Sequence, residues 1–360
     1  MLRYGIIGSG MMGQEHIRNI SLLDECVVAA VADPDDGMRT LAGQMAGDVP
    51  VFADWREMVS ADLADAYLIA APNDTHHGIL LDLLPGNKPV LVEKPLCTTS
   101  AHCREAIAVA ENRTSPTWVA MEYRYMPPLQ RLMEEVAKGA TGDLKAMSIR
   151  EHRFPFLEKV QDWNRFSERT GGTLVEKCCH FWDLMRLVLQ DDPVRVFASA
   201  ARDVNHADER YDGRVPDMID NAFVTVEFAD GKRAQLDLCM FAEGATWQET
   251  VTVTGDRGRV EAHIPSDAAT KSDTAPDAYI TVADRVEGQR QIDVPVDEAI
   301  LNAGSHHGST FFQHQRFSEL VRSGQGTPEV TLEDGLWSVR VGEAAELSAR
   351  EHRVVELSEI

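Results

Sequence analysis

A chain of 360 residues with 44% hydrophobic content is long enough for two domains and too apolar to be disordered. Its formal net charge of -23 repels nucleic acid and anionic lipid, so neither is expected as a partner. No apolar run is long enough to span a bilayer, and the N-terminus has no signal-peptide pattern, so a cytoplasmic protein is expected.

The first third alternates buried-strand patterns (2–7, 27–32, 66–70, 89–92, 117–121) with helical ones (11–23, 36–45, 75–84, 99–111). Fully apolar strands alternating with helices predict a parallel sheet covered on both faces. The first strand runs into Gly8-Ser9-Gly10-Met11-Met12-Gly13, which opens the first helix. In that context the glycines form a dinucleotide-binding loop. Gly8 permits the turn, Gly10 lets the backbone approach a pyrophosphate, and Gly13 lets helix and strand pack closely. The anion is then held by the free N–H groups of the helix N-terminus. Asp33 ends the second strand about 20 residues past Gly13, where an acid binds the ribose hydroxyls of NAD and repels a 2′-phosphate. The other reading of Asp33 is a turn residue before Pro34. NAD is expected, with NADP possible because Arg39 is near.

Ligands of such sheets lie beyond the carboxyl ends of the strands. Pro72, Asn73 and His76 follow one strand end, and Glu93-Lys94-Pro95 follow another. Asn73 is a cofactor contact, while His76 reads equally as packing. Glu93 and Lys94 are costly at a buried strand end unless solvated or paired, so they are either a surface ion pair or part of the chemistry. A cis Lys94–Pro95 bond is expected, because it would turn Lys94 into the cleft.

After residue 122 the rhythm changes. A helix (127–138), a strand (144–152) and a long helix (173–189) precede six β-type runs (194–201, 221–228, 233–240, 248–254, 258–264, 279–282). Two helices close the chain (310–321, 332–350), and Pro265–Pro276 reads as an exposed loop. Short links such as Asp230-Gly231 predict a mostly antiparallel sheet. The fold class is therefore an α/β Rossmann domain (1–122) followed by an α+β domain (123–360).

On one continuous helix Glu176, His180 and Asp183 would share a face. Histidine suits proton transfer near neutral pH, and a carboxylate one turn away can orient it. The competing reading is a satisfied pair on a helix surface. Cys178 and Cys179 point away from that face, so no convergent metal ligands are expected. The six cysteines form no Cys-x-x-Cys pair and read as free thiols.

Gly8–Gly13, Pro72-Asn73 to His76, Glu93-Lys94-Pro95, Gly171-Gly172 to His180 and Asp183, and Ala344-Ala345-Glu346, taken in this order, resemble the glucose–fructose oxidoreductase / inositol dehydrogenase (Gfo/Idh/MocA) family over essentially the whole chain. The resemblance implies a dehydrogenase that oxidises a secondary alcohol of a cyclic polyol or sugar. It implies that Lys94 contacts the nicotinamide ribose and the reacting oxygen, and that His180 is the acid/base with Glu176 behind it. It places Arg124, in Tyr123-Arg124-Tyr125, along the active site. It also implies a homodimer or homotetramer built through the open face of the C-terminal sheet. Trp163, Arg165 and the His306-His307-Gly308 segment are further candidates to face the substrate. Two positions depart from the pattern: Glu176 stands for an Asp and Cys178 for a Gly, which bears on the substrate more than on the reaction. The alternatives within the same fold are a glycoside hydrolase that uses NAD transiently and a non-catalytic sugar or cofactor sensor.

Overall fold

Six parallel strands form the first sheet. In chain order the elements are β1 (Leu2–Ile7), α1 (Met11–Ser21), β2 (Cys26–Ala32), α2 (Asp36–Met45), β3 (Val51–Phe52), α3 (Trp55–Ser60), β4 (Ala66–Ile69), α4 (His76–Leu83), β5 (Val90–Val92), α5 (Ser100–Ala110) and β6 (Thr117–Val119). Strand order is β3-β2-β1-β4-β5-β6, and every pairing is parallel. These are the pairings of a computed structural model, which describes residues 1–266 and 276–360. β4 and β5 are buried at every residue, as a sheet covered on both faces requires. Asp35 and Asp54 cap α2 and α3 by accepting the N–H groups of Met38 and Arg56. α1 has Gly10 at its cap and no side-chain cap, so its first N–H groups stay free at the strand ends.

The second sheet has nine strands. α6 (Pro127–Ala137) leads to β7 (Leu144–His152). The short helices α7 (Ser167–Thr170) and α8 (Thr173–Glu176) then precede α9 (Cys179–Leu189). The strands β8 (Pro193–Ala201), β9 (Asn221–Phe228), β10 (Arg233–Cys239), β11 (Trp247–Gly255), β12 (Gly258–Pro265), β13 (Tyr279–Asp284) and β14 (Gly288–Asp293) follow. The chain closes with α10 (Glu298–Ala303), α11 (Ser309–Ser323), α12 (Leu332–Glu351) and β15 (Val355–Glu356). Sheet order is β14-β13-β12-β11-β7-β10-β9-β8-β15. Only the β7–β10 pairing is parallel among them. Both expected sheets are therefore present.

α12 joins the two apolar cores. Leu336 and Val339 pack into the first, Val341 and Ala345 into the second. Its Glu346 accepts the N–H of Leu174 at 2.8 Å and so caps α8. Gly172, at φ 93°, lets that carboxylate approach, since a Cβ there would collide with it.

The expected helix over 173–189 is broken. Lys177 and Cys178 form a turn between α8 and α9, so Glu176, His180 and Asp183 do not share one helix face. Asp183 turns instead to Arg124, whose guanidinium donates to both carboxylate oxygens at 2.6 Å and to the Glu329 carbonyl at 2.6 Å. Asp334, at the start of α12, lies 3.7 Å from the same guanidinium. Arg124 is thus a buried clamp between the end of β6, α9 and α12. Residues 267–275 of the expected 265–276 loop lie outside the described residues.

Removing one partner of a buried ion pair leaves an uncompensated charge. Arg124→Ala is expected to lose about 3–5 kcal/mol of stability in urea denaturation. A loss under about 1 kcal/mol would show the clamp to be dispensable.

Candidate active site

A cavity of about 920 Å³ runs along the carboxyl ends of the parallel strands. One end is bounded by the glycine loop, with Gly8, Gly10, Met11 and Met12, and by Asp33, Asp35 and Asp36. The other reaches Lys94, Lys159, Trp163 and Glu176, and Pro72 and Asn73 line the wall between them. Gly8 sits at φ 91°, and a Cβ there would lie 2.5 Å from the Ala71 nitrogen, so the loop and the β4 end close on each other only through glycine. A Cβ at Gly10 would meet nothing within 4 Å of protein, which leaves the helix N-terminus open to an anion. Gly13 lines nothing; it packs against the Gly8 carbonyl. These features fit a dinucleotide.

Asp33 lines the cavity and also ties its loops. One carboxylate oxygen accepts from the Ser9 N–H (2.7 Å) and hydroxyl (3.0 Å), the other from the Asp35 N–H (2.8 Å). Arg39 donates to the Asp33 and Pro34 carbonyls and to the Asp36 carboxylate, and is not itself among the lining residues. Asn73 is buried with its side-chain nitrogen unpartnered beside the cavity.

The Lys94–Pro95 bond is cis, as expected. The Lys94 ammonium donates to the Glu176 carbonyl at 3.5 Å. Burial pulls its pKa down, but Cys179, Glu93 and Glu176 outweigh burial and raise it, so Lys94 stays charged. Glu93 lines the cavity, but its carboxylate is occupied by His16 Nε2 (2.8 Å) and the Lys94 N–H (3.1 Å). His16 continues to His314 at 2.8 Å, and His314 to the Tyr4 hydroxyl at 3.4 Å, all buried.

His180 is buried, and neither ring nitrogen has a hydrogen-bond partner. Its ring stacks on Tyr123 with centroids 4.1 Å apart. Burial first, then the charges of Lys94, Lys177 and His306, push its pKa well below the ordinary histidine value. His180 is therefore a neutral imidazole. Glu176 makes no bond to it; one Glu176 carboxylate oxygen is itself unpartnered, and burial raises its pKa against Lys94 and Lys159. The expected orientation of His180 by Glu176 is replaced by stacking on Tyr123.

Three other expected ligand contacts do not face the cavity. His76 is fully buried, and its nitrogens contact the Pro95 and Ala71 carbonyls at 2.9 Å, pinning two strand-end loops together. Arg165 binds Glu209 (2.7 Å) and the Asn164 side chain (3.1 Å). Arg124 is the clamp described above. Each is saturated by protein, and none borders the cavity; His180 is not among the lining residues either, but both its ring nitrogens are unpartnered.

Sequence reasoning missed the layer beneath His180. The Lys177 ammonium lies 2.8 Å from Glu151 and donates to the Tyr123 hydroxyl at 2.7 Å. That hydroxyl donates to Glu249 at 3.2 Å. Glu151 and Glu249 face each other across β7 and β11, both buried. Their only sequence signal is a glutamate at an inward position of each strand. Lys159 was also missed; it lines the cavity near Glu176, and burial lowers its pKa.

Residues 2–121 match the NAD-binding Rossmann fold of the Gfo/Idh/MocA oxidoreductase family, and residues 133–357 match its C-terminal alpha/beta domain. The chain belongs to this family. The Rhizobium meliloti rhizopine catabolism protein MocA is 30% identical over 53% of the chain and 58% of its own length. The Thermotoga maritima myo-inositol 2-dehydrogenase is 25% identical over 100% of the chain and 99% of its own. Among solved structures, levoglucosan dehydrogenase in complex with NADH superposes with TM-score 0.83 at 18% identity over 99% of both chains, a likeness of fold. This Gfo/Idh/MocA protein is thus an NAD-dependent oxidoreductase. Among the described residues no helix is long and apolar enough to cross a membrane.

Burial, with the Glu151 carboxylate opposite, pushes Glu249 up to about 7. The fold therefore favours the protonated acid. Its contribution is complete below the ordinary carboxyl pKa and is lost as pH rises through about 7. Wild type is expected to lose stability relative to Glu249→Gln between about pH 5 and about pH 8, read by denaturation at each pH. A pH-independent difference would contradict the assignment.

Proposed function

We propose that the chain oxidises a secondary alcohol of a cyclic polyol or sugar, with NAD as hydride acceptor. The observation that carries this reading is a set of polar groups left without protein partners near the inner end of the cavity. They are one oxygen of Glu176, which lines the cavity beside the charged Lys94, and both nitrogens of a neutral, buried His180, which is not itself among the lining residues. Buried polar groups without partners are costly, and a polyhydroxylated substrate supplies partners for them. The names of the inositol dehydrogenase and levoglucosan dehydrogenase relatives point the same way.

Bound NAD supplies the hydride acceptor, and the protein moves the proton and stabilises charge. The free N–H groups of α1 hold the pyrophosphate, and Asn73 offers its unpartnered amide to the cofactor. His180 accepts the hydroxyl proton, and the Lys94 ammonium stabilises the developing alkoxide. The unpartnered Glu176 oxygen accepts a hydrogen bond from a second substrate hydroxyl. Trp163 and Lys159 close the outer wall of the same end.

His180→Ala is expected to lower turnover by roughly 10²–10⁴-fold while leaving NAD affinity intact. In the wild type, kcat/KM falls on the acid side only below the ordinary histidine pKa, because the base resists protonation. Turnover equal to wild type in His180→Ala would remove His180 from the mechanism. At the other end of the cavity Asp33, Asp35 and Asp36 would meet the adenosine ribose, and this acidic lining would favour NAD over NADP. Asp33→Ala is expected to narrow that preference by at least about tenfold, worth about 1.4 kcal/mol. An unchanged NAD/NADP ratio would make Asp33 a loop residue only.

The chain is further proposed to form a homodimer or homotetramer through the outer face of the nine-stranded sheet. Phe197 and Phe223 stand 43% and 66% exposed there, on the paired strands β8 and β9. Exposed aromatics on an open sheet mark an association surface. Phe223→Asp should shift the mass measured by light scattering toward the monomer. An unchanged mass places the interface elsewhere.

A further inference from the structure

Glu15, Glu122 and His306 meet outside the cavity, although more than 100 residues separate each from the next. Glu15 lies on the buried face of α1, Glu122 follows β6, and His306 precedes α11. One ligand atom from each falls within 4.8 Å of the other two. The Thr310 hydroxyl joins them, 2.6 Å from one Glu122 oxygen and 3.0 Å from Glu15 Oε1.

The Glu122–His306 contact bears on whether this is a metal site or a hydrogen-bonded cluster. Glu122 Oε1 and His306 Nδ1 stand 3.0 Å apart, yet neither makes a hydrogen bond, and Glu122 is 0% exposed. Two ligands each about 2.1 Å from one ion stand about 3.0 Å apart at octahedral angles and about 3.4 Å apart at tetrahedral ones. Contact at this distance without hydrogen-bond geometry fits two ligands of one ion, as it fits an ion pair of a protonated His306, which lies 3.9 Å from Glu15 as well. Two buried carboxylates also need a cation nearby, and Glu93 adds a third negative charge to their field.

We propose that Glu15, Glu122, His306 and Thr310 bind one divalent transition-metal ion, zinc or manganese, that ties α1 and α11 to the end of β6. Three oxygens and one imidazole nitrogen suit these ions, whereas magnesium prefers oxygen and water alone. The ion would sit beside the active site, since the His306 ring centroid lies 6.5 Å from that of His180 and 5.5 Å from that of Tyr123. Its positive charge would add to the field that keeps His180 neutral. It takes no part in hydride transfer. This site is independent of the substrate reading. The rival is a cluster held by a protonated His306 alone.

The test dialyses the untagged full-length protein against a chelator and adds back Zn²⁺, Mn²⁺ or Mg²⁺ singly. Ion retained after gel filtration is counted by mass spectrometry, and Tm is recorded. The proposal expects about one equivalent of Zn²⁺ or Mn²⁺ and a rise in Tm that chelator reverses. It expects no retained Mg²⁺, and less than about a tenth of an equivalent of any ion in Glu122→Gln. His306→Asn serves as the second variant, since asparagine tolerates the φ of 58° at this position and reads the same loss if Glu122→Gln does not fold. No retained ion in the wild type overturns the proposal and leaves the protonated His306 cluster. Retention by His306→Asn equal to wild type overturns it too, placing the ion elsewhere.

Discussion

A half-buried ammonium at the end of a parallel strand, on the lining of the cavity, is the constraint from which the rest of the site follows. Partial burial disfavours the charge of Lys94, and the acids around it, Glu93, Glu176 and Glu122 among them, outweigh that cost. Those acids then need partners of their own. Glu93 takes His16, and through it His314 and Tyr4, which stitches α11 to the first strand. On the far side Lys177, Glu151, Tyr123 and Glu249 form a second buried network that carries the stacked ring of His180. Burial first, and then positive charge converging from both sides, strips His180 of its proton. One electrostatic field thus keeps Lys94 charged and His180 neutral, the two states that alcohol oxidation requires.

The architecture serves that field. α12 belongs to both apolar cores, so the nucleotide-binding sheet and the sheet beneath His180 are held in one packed unit. Glu346 on this helix caps α8, which fixes Glu176, while the Arg124–Asp183 clamp fixes the start of α9. Positioning of Glu176 and α9 therefore comes from residues that never touch the cavity, and of the groups that border it Asn73 and Glu176 each keep one side-chain atom unpaired.

Much of this was legible in the sequence. The glycine loop, the buried parallel strands and the Lys94–Pro95 turn all rest on local rules, and local rules survive folding. What failed was long-range. Arg124, Arg165 and His76 are polar residues in suggestive places, but whether they face a ligand or a carboxylate depends on segments far away in the chain. The break at Lys177–Cys178 had no glycine or proline to announce it, so the helix face shared by Glu176, His180 and Asp183 was an artefact of assuming continuity. β14 was invisible because an edge strand of sequence GQRQID has no apolar period to read. The β3 and β15 strands, of two residues each, are too short for any period.

The central claim is that the unpartnered groups around Lys94 await a polyol that gives up hydride to NAD. It is tested most directly by following absorbance at the NADH wavelength while inositols, aldoses and anhydrosugars are offered singly with NAD, alongside a Lys94→Met control. NADH formation with one compound or a small group, abolished in the control, is the predicted result. Tight NAD binding with no NADH from any compound would contradict the dehydrogenase reading and leave a redox-cycling hydrolase or a sensor built on the same fold.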